Sequence, residues 1–194
     1  MATILSAQTT DARVNMVTPE LFARYPTPDA LAHADPADVE AIIRSTGFYR
    51  NKARSIIGMA NVLVERHGGR IPTTMREWVD VPGVGRKTAN VVRSVAQGLP
   101  GLPVDTHVLR LSQRLGLTTE TDPGKVEHEL NPMVPAGERG LFSLRLILHG
   151  RRVCTARKPA CDRCVLADFC PSAGLVDGAS APVRGASGPA RRAN

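Results

Sequence analysis

From residue 9 to residue 170 the apolar side chains return every three or four positions, and only short polar breaks interrupt them. That interval is the period of an α-helix with one buried face. The clearest case is "YRNKARSIIGMANVLVERHGG" (49–69), where Ala53, Ile56, Ile57, Ala60, Leu63 and Val64 share a stripe. Gly68 and Gly69 then supply the stop, because glycine accepts the left-handed conformation that ends helices. Further helices are expected at 10–24, 36–45, 86–97, 106–115, 123–133 and 138–150. In "DPADVEAII", Asp35 is placed to cap the helix and Pro36 to occupy its first position. No run alternates as a half-buried strand would. Aromatic residues are only 4% of the chain, so a core must be built from Leu, Val, Ile and Ala. The expected fold class is all-α.

The chain is 194 residues long, enough for one sizeable domain or two small lobes. "QGLPGLPVD" (97–105) is a Gly/Pro connection between two helical groups. We therefore expect one lobe at 1–99, a second at 100–170, and a disordered Ala/Gly/Ser/Pro-rich tail at 171–194. No stretch approaches the roughly 20 apolar residues that span a membrane. The N-terminus lacks the regions of a signal peptide. A cytoplasmic protein is expected, in which clustered cysteines are metal ligands rather than disulfides.

The net charge is +7, and a basic domain commonly meets nucleic acid. "VPGVGRKTANVV" (81–92) shows how it could do so. Pro82, Gly83 and Gly85 allow a sharp turn and a close backbone approach to a ligand. A helix then opens near Arg86, and the free N–H groups of its first turn form an anion site. Such a hairpin grips phosphate of any sequence. Lys87 sets its positive charge against the dipole of that helix. Either it touches a phosphate, or its amine is wanted uncharged, as a nucleophile able to form a Schiff base. Asp105, in "LPVDTHVLRLSQRLGL", precedes an amphipathic helix and reads as its N-cap. A capped carboxylate is also a fixed one. It could deprotonate an amine or stabilise positive charge on a sugar.

Cys154, Cys161, Cys164 and Cys170 are the only cysteines and fall in the pattern C-x6-C-x2-C-x5-C. Four thiolates in one loop suit zinc or an iron–sulfur cluster, and spacing leaves the two about even. From Arg145 to Arg163 the basic residues Arg145, Arg151, Arg152, Arg157, Lys158 and Arg163 stand against the single acid Asp162. Such a loop is a candidate phosphate clamp, and its binding should depend steeply on salt.

Taken together, "VPGVGRKTANVV", "VDTH", "ILHGR", the cysteine pattern, "LSAQTTDARVN" and "TGFYRNKA" resemble the endonuclease III family of DNA glycosylases. The resemblance covers residues 4–170. It implies a two-lobed all-α fold, with a six-helix lobe carrying the helix-hairpin-helix and a second lobe holding a 4Fe-4S cluster on the four cysteines. It implies that Lys87 is the nucleophile at C1′ and that Asp105 activates it. It implies that Gln8 fills the gap left by a flipped base and that Phe48 is a wedge. Gly83, Val84, Gly85, Arg86, Thr88, His107, Arg157 and Lys158 are the remaining candidate DNA contacts. Without the resemblance, Phe48 reads as a core aromatic and Gln8 as a polar helix end.

The expected activity is that of a bifunctional DNA N-glycosylase and AP lyase of base excision repair. Its expected partner is double-stranded DNA bearing a damaged base or abasic site. The related mismatch-adenine glycosylases generally lack the lysine, so its presence implies the bifunctional branch and oxidised pyrimidines. A monomer associated with the nucleoid is expected. The rival is a non-catalytic DNA-binding module using the same hairpin. The family also carries further residues ahead of "LSAQ" that complete a first helix against the cluster lobe. We expect the true start upstream; a chain beginning here would leave apolar surface uncovered on the cluster lobe, with loss of stability or activity and a tendency to associate as the expected result.

Overall fold

The computed structural model describes residues 1–178. It is helical throughout, with no strand among the described residues. The chain divides into two compact units, Met1–Leu99 and the residues from Pro100 onward.

The first unit contains α1 (Ala2–Leu5), α2 (Asp11–Arg24), α3 (Pro28–Ala32), α4 (Pro36–Ile43), α5 (Tyr49–His67), α6 (Met75–Val79) and α7 (Arg86–Val95). α5 is its axis: α3 and α4 lie against it, α1 touches both α5 and α7, and α6 pairs with α7. The stripe read from the sequence is the buried one, with Ala53, Ile56, Met59, Ala60 and Leu63 all inside. They join Leu5, Leu21, Leu31, Val39, Ile43, Trp78, Val81 and Val84 in one core. Each large aliphatic side chain so buried contributes about 1.5–3 kcal/mol.

Local chemistry sets the element boundaries. Asp35 Oδ1 accepts from Ala37 N–H at 2.9 Å with Pro36 at the first helical position. Thr74 and Glu77 form a reciprocal capping box at the start of α6. Gly68, at φ 57°, ends α5. The sequence did not signal α1 or α3, each shorter than two turns and too brief to show a period. The expected 36–45 helix tightens at its end into a 3-10 turn, Arg44–Thr46.

The second unit contains α8 (Thr106–Arg114), α9 (Pro123–Leu130) and α10 (Arg139–Arg152). Leu102, Val104, Val108, Leu111, Val126, Leu130, Val134 and Leu146 form its separate core. α10 packs on α8. The cysteine loop follows α10 and includes the 3-10 turn Cys161–Arg163. Residues 171–178 continue as hydrogen-bonded turns rather than as the disordered tail expected there. The rest of that expected tail, 179–194, lies outside the described residues.

Candidate functional site: a hairpin, two strained turns and a cysteine loop

The hairpin joins α6 to α7 across residues 80–85. Its two glycines answer to different demands. Gly83 has φ +75°, and a Cβ there would sit 2.7 Å from the Cβ of Ser55 on α5. The turn and its packing on α5 both require glycine. Gly85 has φ −84°, which any residue can adopt, and a Cβ on it would meet nothing within 4 Å. Neither backbone angle nor packing demands a glycine at 85, where it serves as the N-cap of α7 and leaves the backbone open to close approach.

Gly85 caps α7 without a side-chain bond, and the first intrahelical bond runs from Ala89 N–H to the Gly85 carbonyl (3.0 Å). The first turn of α7 consists of Arg86 and Lys87, both exposed, and the half-buried Thr88. It carries the positive end of the helix dipole and no acidic residue. Val84, expected among the DNA contacts, instead points into the core and spends its N–H on the Val81 carbonyl (3.1 Å). It anchors the turn.

Gln8 and Phe48 lie in the turns before α2 and α5. They are the only non-glycine residues with positive φ among those described, at 53° and 46°. Phe48 is 66% exposed, so it is not a core aromatic. Between the two turns lies Lys52, which is 5% exposed. Its Nζ donates to the Leu5 carbonyl (2.8 Å), to Thr9 Oγ1 (2.8 Å) and to the Thr46 carbonyl (2.9 Å). Thr9 Oγ1 in turn donates to the Thr46 carbonyl. Burial holds the Lys52 ammonium below the ordinary lysine range. Sequence reasoning passed over Lys52, although a signal was there. It lies four residues before Ile56 and seven before Met59, on the buried stripe of α5.

In the second unit, Asp105 caps α8. Its Oδ1 accepts from His107 N–H (2.8 Å) and from Val108 N–H (2.9 Å). Both capping bonds fall on one oxygen, so Oδ2 is not used by the cap. His107 is half-buried, and Arg110 Nη2 lies 3.2 Å from its Nδ1. The ring also crowds Gly150 of α10, where a Cβ would come within 2.8 Å of Nδ1. This gives "ILHGR" its glycine: α8 and α10 close on each other there.

The four cysteine side chains line one pocket whose walls are otherwise mostly apolar, among them Leu111, Leu115, Val153, Pro159 and Leu166. All four thiols are free. Among the described residues no three His, Cys, Asp or Glu side chains are placed to hold one metal ion. Four cysteines lining one shared pocket are a donor set that suits a cluster in which each thiolate meets its own iron. Arg114 Nη1 donates to Cys154 Sγ at 3.2 Å, and Arg114 also holds the Thr155 and Ala156 carbonyls, both at 2.7 Å. Burial first, and then the neighbouring Cys154, Cys161 and Cys170, push the Cys164 thiol up. Burial also lowers the pKa of His149, whose Nε2 lies 3.4 Å from Cys164 Sγ. Arg157 and Lys158 are exposed on the loop between the first two cysteines. No spacing or motif marks Arg110 and Arg114 as anchors of this loop; the fold alone brings them to it.

A helix-hairpin-helix in an all-α chain, followed by a four-cysteine loop, defines a class of DNA repair protein. The sequence model of the HhH-GPD superfamily of base excision DNA repair proteins matches residues 1–136. That of the iron–sulfur binding domain of endonuclease III matches residues 154–170. Endonuclease III of Synechocystis sp. is 55% identical over 89% of this chain and 80% of its own length. That of Escherichia coli K12 is 41% identical, over 91% and 84%. Among solved structures, a non-covalent endonuclease III–DNA complex superposes with a TM-score of 0.80 at 42% identity, covering 90% of this chain and 82% of that one. A trapped covalent endonuclease III–DNA intermediate gives 0.80 at 43%, with the same coverage.

The chain belongs to the endonuclease III family. Its activity is that of a base excision repair DNA glycosylase and AP lyase, and its cofactor is a 4Fe-4S cluster. The rival expectation of a non-catalytic module gives way to this.

Proposed function

We propose that the chain removes oxidised pyrimidines from double-stranded DNA through a Schiff base on Lys87, and then cleaves the strand 3′ to the abasic site. The observation that carries this is Lys87 itself. It is an exposed lysine in the first turn of α7, two residues after Gly85, where a Cβ would meet nothing within 4 Å. The hairpin holds a phosphate on the N–H groups at the start of α7. Arg86 and Thr88 flank that contact. Arg157 and Lys158 hold the backbone further along, and His107 adds the ring nitrogen that Arg110 does not engage.

The chemistry follows from the residue types. Lys87 Nζ, as a neutral amine, bonds to C1′ while the bond from C1′ to the base breaks and the base leaves with its electron pair. Asp105 Oδ2 takes the proton from the amine and passes one to the departing base. The nitrogen lone pair then forms an iminium between Nζ and C1′ as the C1′–O4′ bond breaks, and O4′ keeps that electron pair and takes a proton from water. Loss of a C2′ proton then feeds electrons toward that iminium, and the C3′–O bond breaks, releasing the phosphate. Gln8 enters the gap left by the extruded nucleotide and Phe48 wedges the stack, which offsets the cost of unstacking. Cys154, Cys161, Cys164 and Cys170 hold the cluster, which when bound cross-links their loop. The protein works as a monomer in the cytoplasm, on the chromosome.

Borohydride reduction is the test. Wild-type protein should be trapped covalently on DNA containing an abasic site, and Lys87→Ala should not. Equal trapping of the two would remove Lys87 as the nucleophile. Asp105→Asn keeps an oxygen for the α8 cap and should lower the rate of base removal by about a hundredfold or more.

A further inference from the structure

Lys52 is an expensive residue to bury. Its ammonium meets two carbonyls and a hydroxyl, and no carboxylate among the described residues. It also lies in the first turn of α5, where the helix dipole opposes a cation. An apolar side chain of similar length would serve the core as well or better. Stability alone does not account for it.

Its acceptors supply another account. Leu5 ends α1, and Thr9 follows Gln8 in the turn between α1 and α2. Thr46 belongs to the turn that carries Phe48. Gln8 is adjacent to Thr9, and Phe48 lies two residues beyond Thr46. The two strained non-glycine residues of the described chain thus flank a single buried cation. Left-handed backbone at a bulky aromatic persists only where the surroundings over-determine it. The three bonds of Lys52 and the bond from Thr9 to Thr46 supply that constraint.

We infer that Lys52 is a positioning residue for base extrusion: its ammonium locks the Gln8 turn to the Phe48 turn, so that both side chains meet the duplex as one preset unit. This rests on the insertion roles proposed above for Gln8 and Phe48. Lys52 touches neither substrate nor reacting atoms. Its contribution is confined to opening paired DNA and is not required where the nucleotide is already unpaired.

The test uses the full-length, iron-loaded protein carrying Lys52→Met, which keeps the length of the side chain and removes its donors. Two rates are compared: single-turnover base removal from a duplex with an oxidised pyrimidine, and borohydride trapping on single-stranded DNA with an abasic site. The ratio of duplex to single-strand rate should fall about tenfold or more. The fluorescence rise of 2-aminopurine placed beside the lesion, which reports unstacking, should slow with it. Added to the double variant Gln8→Ala/Phe48→Ala, Lys52→Met should cause no further loss in that ratio. Equal loss in both assays, or a full additional loss in the triple variant, overturns the inference. If Lys52→Met fails to fold, Thr9→Val removes one acceptor and the bond to Thr46. It should bias the ratio in the same direction by a smaller factor, and an unchanged ratio overturns the inference. Normal duplex rates in Gln8→Ala and Phe48→Ala would sink the insertion roles and this inference together. Slow rates there beside a normal Lys52→Met sink this inference alone.

Discussion

Two glycines two residues apart in one hairpin illustrate how function separates from folding at the level of single residues. Gly83→Ala puts a Cβ into a left-handed position and against Ser55. Strain and overpacking together should cost at least about 2 kcal/mol, seen as a lower denaturation midpoint. Gly85→Ala meets open space at an ordinary φ. It should change stability by no more than about 1 kcal/mol, the difference between glycine and alanine as an N-cap. Affinity for abasic-site duplex should nevertheless fall about tenfold or more. A stable Gly85→Ala variant that binds normally would show that nothing approaches the backbone there. The sequence marked both glycines as turn formers, but only the neighbour on α5 distinguishes them. The same limit applies to Val84. A valine inside a hairpin reads as exposed until the chain turns it inward onto the core.

Among the elements, the crossing of α8 and α10 is a tight contact with a visible cause. A Cβ at Gly150 would approach His107 Nδ1 at 2.8 Å, His107 Cβ at 3.1 Å and Arg110 Nη2 at 3.1 Å. Arg110 also donates to the Gly150 carbonyl (3.1 Å) and the Cys154 carbonyl (2.9 Å), so the crossing is tied to the start of the cysteine loop. Gly150→Ala gains about 1 kcal/mol of helix propensity. It should still be net destabilising by roughly 1–2 kcal/mol, because neither His107 Cβ nor the bound guanidinium can withdraw freely. Faster loss of iron to a chelator should accompany the lower midpoint, since the displaced Arg110 no longer holds Cys154. A more stable variant with unchanged iron retention would break this link. The long helices were legible because their faces repeat: α2, α5, α8 and α10 lie within two residues of expectation at each end. α1 and α3 were not, because a helix of one turn carries no period.

At the scale of the molecule, the positive charge is the property with the broadest consequence. Arg157, Lys158 and Arg163 of the cysteine loop and Lys87 in the first turn of α7 are all exposed, and the proposed phosphate clamp draws on them. If roughly five phosphates are engaged, affinity for duplex DNA should drop a hundredfold to a thousandfold between about 50 and 200 mM salt. Charge reversal of Arg157 and Lys158 should reduce the slope. A flat dependence would remove the loop as a clamp.

By itself the sequence determined the helical class, the hairpin with its lysine, the capping aspartate and the four thiolates. Each is a local pattern, fixed by residue type and spacing along a few turns of chain. Tertiary structure alone decided that Gly83 is required by packing and Gly85 is not, that Arg110 and Arg114 hold the cysteine loop, and that Lys52 ties two turns together. Those roles depend on contacts between residues about forty positions apart. No periodicity carries such information, because which distant carbonyl a buried cation meets is settled only when the helices pack.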